Sequence, residues 1–206
     1  MFVMTVDQQG STRRGDQVAA LLEHLKEVGL TAPAPGFVLG FERTVGDEVQ
    51  AVLDDAERVV ELALALVRLG GWTVGIGAGE VHEPLPASPR EASGPAFVLA
   101  REAVERAKAK GPTVPLAVEG AEGERAAEAE ALLRLLGAVL VRRSAAGWDA
   151  VDRLALGAKT QKDVARELGV TEQAVSQRLR TAMWAEESAV RPLAARLLAE
   201  AEGAAA

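Results

Sequence analysis

The chain contains no cysteine, so it has neither a disulfide framework nor a thiolate-held metal. Histidine is nearly absent: His24 and His82 are the only two, neither has a second ligand at metal-site spacing, and both are expected at the surface. No apolar run approaches the ~20 residues of a membrane-spanning helix. The longest, such as LALALVRLGG, are short and interrupted. The opening MFVMTVDQQGS reaches Asp7 without a basic leader, so no secretory signal is expected. A cytoplasmic protein without a membrane partner follows as the expectation. A GxxxxGK[ST] segment is missing, which excludes a P-loop ATPase. Ser11 and Ser176 lack His and Asp partners, so nucleophilic hydrolysis is unsupported.

What is present is a chain of 206 residues, 49% hydrophobic, with room for one medium domain and a small one. A net charge of −7 argues against non-specific coating of nucleic acid. The charge is uneven: Gly157 to Trp184 holds five Lys or Arg against three acids, leaving −9 on the remainder. A mildly basic module on an acidic body suits a site-specific DNA reader, and also suits a plain acidic domain.

Within that module, TQKDVARELGVTEQAVSQRLR (Thr160 to Arg180) spells a helix-turn-helix. The first helix runs to Leu168, Gly169 supplies a left-handed break, and the Thr171 hydroxyl caps the second helix. Val164, Ala165, Leu168, Val170, Val175 and Leu179 face inward. Thr171, Glu172, Gln173, Ser176, Gln177 and Arg180 face outward on the second helix, with Arg178 beside them and Thr160 and Gln161 opening the first. In a major groove Gln pairs with adenine, and Arg with guanine or phosphate. These nine residues are the candidate DNA contacts. A helical hairpin packed inside a larger body would use the same inward positions.

Upstream, Phe2 to Val6 reads as a buried strand, and Asp16 opens a helix facing inward through Val18, Leu21, Leu22, Leu25 and Val28. Phe37 to Arg43 and Glu48 to Leu53 form a hairpin around TVGD, and Asp54 and Asp55 cap a buried helix to about Leu69. Trp72 to Val81 is a strand, Pro95 opens a helix to about Lys110, and Thr113 to Val118 is the last strand. Gly75, Gly77 and Gly79 mark a strand closely approached by another backbone or helix. This order predicts an α+β, ferredoxin-like antiparallel sheet with helices on one face (residues 1–120), a connecting helix (121–146) that packs on the sheet domain or on a second copy, and an all-α helix-turn-helix domain (147–206). Trp148 and Trp184 complete the small core of that domain, and Pro192 starts a final helix.

Asp7 ends the first strand and Asp47 sits at the hairpin turn, so the sheet brings the two carboxylates toward each other. A divalent cation relieves such repulsion, with phosphate and water filling its other positions. Gly10 and Ser11 offer backbone N–H groups to a phosphate, and Arg13 and Arg14 add charge. Ordinary turn residues and a solvated arginine pair account for the same letters.

The segments VDQQGS, TVGDEVQAVL, VGIGAGEV and GPAFVLAREAVERAK stand in the order and spacing of class III nucleotidyl cyclase domains. The chain resembles still more closely the SatD family of bacterial proteins, which place a C-terminal helix-turn-helix after such a domain. Val49 stands where that family usually has Phe. The resemblance implies a cyclase-like fold with a DNA-reading tail, and it maps Asp7 and Asp47 onto the metal-binding aspartates for Mg²⁺ with a purine nucleotide. It also implies losses. The purine-selecting Lys falls on Phe41, and the ribose-orienting Asn and triphosphate-clamping Arg fall on Val98 and Glu102; a one-residue slip would bring in Arg101 without restoring the Asn. Metal ligands kept without the clamp fit binding better than catalysis. The expectation is therefore a transcription regulator that binds double-stranded DNA as a homodimer and senses a nucleotide. The alternative is an active nucleotidyl cyclase or phosphotransfer enzyme with a DNA-binding tail.

Overall fold

The computed structural model describes residues 1–109, 113–155, 157 and 160–203. The first strand, β1 (Phe2–Gln8), is central because it is buried along both faces, with Thr5 and Asp7 its only other interruptions to an apolar run before Gln8. β3 (Glu48–Leu53) and β4 (Trp72–Ala78) flank it, both antiparallel, and β2 (Phe37–Arg43) lies outside β3. β5 (Leu116–Gly120) completes the order β2-β3-β1-β4-β5 but runs parallel to β4. The sheet is thus mixed rather than antiparallel throughout. α4 (Pro95–Ala107) carries the chain back between β4 and β5, and a helical crossover makes its two strands parallel.

Nor do the helices keep to one face. α2 (Val18–Glu27) and α3 (Ala56–Leu69) share a core with Phe2, Met4, Val6, Val49, Leu53, Val74 and Ile76. α4 covers the opposite face alone, on β1, β4 and β5. It approaches so closely that a Cβ on Gly77 would stand 2.1 Å from the Ala96 carbonyl oxygen, and one on Gly75 would stand 2.4 Å from the Val104 nitrogen. The glycines of this strand and the small Ala96, Ala100, Ala103 and Ala107 of the helix make that approach possible. On α2, Val18, Leu21 and Leu25 face the core as expected, but Val28 falls beyond the helix end and is half exposed.

α5 (Gly123–Arg142) packs on the sheet domain through Ala126, Ala129, Leu133, Leu136 and Leu140. α6 (Ala145–Ala155), α7 (Gln161–Leu168) and α8 (Glu172–Thr181) then enclose a second, smaller core. The last helix, α9 (Trp184–Ala201), starts eight residues ahead of Pro192, which lies inside it rather than at its first turn. Its Ala194, Ala195, Leu198 and Ala201 return to the main core against α5 and α3, so packing does not divide the chain at residue 147. The closeness is again enforced by glycine: a Cβ on Gly120 would stand 2.6 Å from the Ala201 oxygen.

Gly77→Ala should cost about 3 kcal/mol or more, since α4 must lift from β4 to admit the methyl group. A thermal melt within a degree of the unsubstituted protein would contradict the close approach.

Candidate functional site

Two local rules shape the α7–α8 pair. Thr160 and Thr171 adopt extended backbone at the helix starts, and their hydroxyls accept from the Asp163 and Ala174 N–H groups, each at 3.1 Å. Gly169 ends α7 in the left-handed conformation (φ 64°). Val164, Ala165, Val175 and Leu179 are buried together, with Leu168, Val170, Leu154, Trp148 and Trp184 packed around them. All six residues expected to point inward do so.

The opposite face of α8 is polar. Thr171, Glu172, Gln173, Gln177 and Arg180 are exposed, while Ser176 and Arg178 are half-buried. Gln173 and Gln177 are one turn apart, as are Ser176 and Arg180, so four side chains form a strip along one side. Gln161 is exposed at the start of α7. The exposed Thr160 hydroxyl is committed locally, donating to Asp163 Oδ2 at 2.6 Å, and this bond holds the Asp163 carboxyl below its ordinary range, with Arg166 assisting.

The pair is not loosely tethered. The Trp148 ring lies between two guanidinium groups, Arg68 at 3.5 Å and Arg143 at 4.4 Å from its centroid. Arg68 also donates twice to Asp152 of α6, both at 2.7 Å. Arg143 is fully buried: its Nε and Nη2 donate to the Ala182 carbonyl at 3.2 and 2.9 Å, and Nη2 stands 3.4 Å from the equally buried Glu187. Burial pulls the Arg143 pKa down and Glu187 opposes that pull. Trp148 therefore serves both cores, not the small one alone.

The second candidate region is the polar end of the sheet on the α4 side. Asp7 lies opposite Glu48 on β3 and Thr73 on β4, and the Gln8 N–H donates to the Asp47 carbonyl at 3.3 Å. Gln50 donates to the Thr5 hydroxyl at 3.0 Å in a buried pair, and Gln9 reaches Thr73 at 3.2 Å. Asp47 is close enough for its charge to help raise the Asp7 pKa; burial is the larger cause, and Lys108 opposes both. Lys108 Nζ stands 3.1 Å from Asp7 Oδ1 and 2.8 Å from Glu105. Lys108 was not singled out in the sequence; it directly follows the last residue of α4, seven residues after Arg101.

Asp47 and Glu48 are the other carboxylates whose charge Asp7 feels. Lys108 pairs with Asp7, and among the described residues no group of three or more His, Asp or Glu is placed to hold a metal ion. Phe41 turns into the core against Phe37, and Val98 and Glu102 are exposed on α4.

The expected phosphate residues diverge from the carboxylates. Gly10 (φ 69°) precedes only a one-turn helix, α1 (Ser11–Arg14), whose Arg13 and Arg14 are exposed. Arg14 reaches the other side of the sheet, where it lines a cleft of about 560 Å³ with Gln8, Gln17, His24, Leu69 and Trp72. His24, expected as a plain surface residue, is exposed and belongs to that cleft. The chain matches no family model, no curated protein and no solved structure. Among the described residues, no helix is long and apolar enough to cross a membrane.

The Asp7 carboxyl should titrate above its ordinary 3.8 in an NMR pH titration, and Lys108→Met should move the midpoint further up. Native Asp7 holds its proton more tightly than the unfolded chain does. Its contribution to stability is therefore present at low pH and lost as pH rises through the raised value. A midpoint below 3.8 in the unsubstituted protein would refute this.

Proposed function

We propose that the protein is a transcription regulator that reads double-stranded DNA through a helix-turn-helix, with α8 entering the major groove. The observation that carries this reading is the strip Gln173, Ser176, Gln177 and Arg180 on the outer side of a helix whose inner side closes a small core. Its amide, hydroxyl and guanidinium groups match the donors and acceptors on base edges. Glu172 stays exposed near the helix start, where it would accept from cytosine, and Arg178 and Gln161 lie where phosphates would pass.

The body supports a ferredoxin-like plan, since the order β2-β3-β1-β4 with antiparallel neighbours is its signature and β5 extends it. It also supports a homodimer formed on the α4 side, where Val98 is an apolar side chain left 59% exposed. A two-fold pair would present two α8 helices to an inverted repeat.

Selection from a pool of random 20-base-pair duplexes should enrich one inverted repeat. On that repeat, Gln177→Ala and Arg180→Ala should each weaken binding by about 1–3 kcal/mol and relax the sequence at the position read. Retention of all sequences alike, or variants with unchanged affinity and selectivity, would overturn the proposal.

A further inference from the structure

The cleft beside Arg14 matches no part of the function above. Its floor is apolar, from Leu21, Leu69 and the largely buried Trp72 ring, and its rim carries N–H donors from Arg14, Gln17 and His24. Leu69 is 45% exposed, an apolar side chain left open to the cleft. Asp16, the carboxylate nearest Arg14 in sequence, is paired with Arg43 instead. Arg14 lies against the chain at Gly71, where a Cβ would stand 2.8 Å from its Nη1, so its guanidinium sits at the cleft wall that Gly70, Gly71 and Trp72 also line. A volume of about 560 Å³ lies in the range of small-molecule sites.

We propose that this cleft binds a small organic carboxylate, its apolar body on Trp72 and Leu69 and its charge on Arg14. The position of the cleft gives it a consequence that rests on the DNA-binding reading. Leu69, Gly70 and Gly71 lining it follow directly on Arg68, whose guanidinium holds Asp152 and covers Trp148. A ligand seated on Leu69 acts on the last turn of α3 and, through Arg68, on the setting of α6 beneath the reading helices. The carboxylate is then an effector of DNA affinity.

The test is calorimetry with octanoate, phenylacetate and indole-3-acetate, each against its primary amide, with inorganic phosphate as a further control. At least one carboxylate should bind about tenfold or more tightly than its amide and than phosphate, because a charge-assisted contact is lost in the amide and the apolar contact in phosphate. Arg14→Gln, at an exposed position, should remove that preference, and Ala20→Trp, also exposed, should fill the cleft and abolish binding. No binding by any carboxylate, equal binding of the amide, or an unaffected Arg14→Gln variant would overturn the site. For the coupling, a saturating carboxylate should change DNA affinity by about fivefold or more. Arg68→Met should keep the calorimetric binding and lose that response. A carboxylate that binds without altering DNA affinity, or a response that survives Arg68→Met, contradicts the coupling alone. Absence of DNA binding in every state contradicts the regulator reading, and the calorimetric result for the cleft is independent of it.

Discussion

The structure depends on a buried ion pair, Arg143 with Glu187, set where its two apolar cores meet. Arg143 follows α5 directly, and Glu187 lies in the first turns of α9, so the pair joins the entry to the small helical unit to its exit. Taking two charges out of water costs several kcal/mol per ion, and the attraction between them offsets this only with further hydrogen bonds. Part of that need is met: Ala182 accepts twice from Arg143 and Arg191 donates to Glu187, while the buried Arg143 Nη1 has no partner among the described residues. A well-packed apolar pair would serve stability equally well. Charge adds direction, since a forked guanidinium on a carbonyl and a carboxylate admits few orientations. With Trp148 held between Arg143 and Arg68, the helical pair has a fixed attitude on the body.

That attitude explains why α9 returns to the sheet domain. A unit of three short helices, with a core of seven buried residues among those described, is small for independent stability. Here α5 leads into it and α9 leads out, and both are packed on the same side of the body. α7 and α8 borrow stability from the larger core, and Arg68 links the end of α3 to the helix beneath them.

Much of this was legible in the sequence where one residue type has one physical use. Gly169 and the two capping threonines fixed the ends of α7 and α8, and the helical period of Val164, Ala165, Leu168, Val175 and Leu179 fixed their inner faces. Gly75 and Gly77 announced a close approach, and α4 provides it. The misses concern long-range choices. The side of the sheet that a helix covers depends on the crossover, so α4 on the far face and β5 parallel to β4 were not visible locally. Pro192 suggested a helix start, but α9 tolerates it in the interior while its Ala and Leu stripe reaches the main core. Lys108 beside Asp7 was likewise not visible, because its approach depends on where α4 settles on the sheet. Arg68, Arg143 and Glu187 were three charges among many until their burial and their shared neighbour Trp148 set them apart.

The most direct test is to record backbone amide NMR spectra of the protein with and without a duplex carrying its selected repeat. The account predicts the largest shifts at Gln161 and along Gln173, Gln177 and Arg180, with smaller ones at Trp148 and Arg143 and none within β4. Shifts centred on the hairpin between β2 and β3, with α8 unchanged, would contradict it.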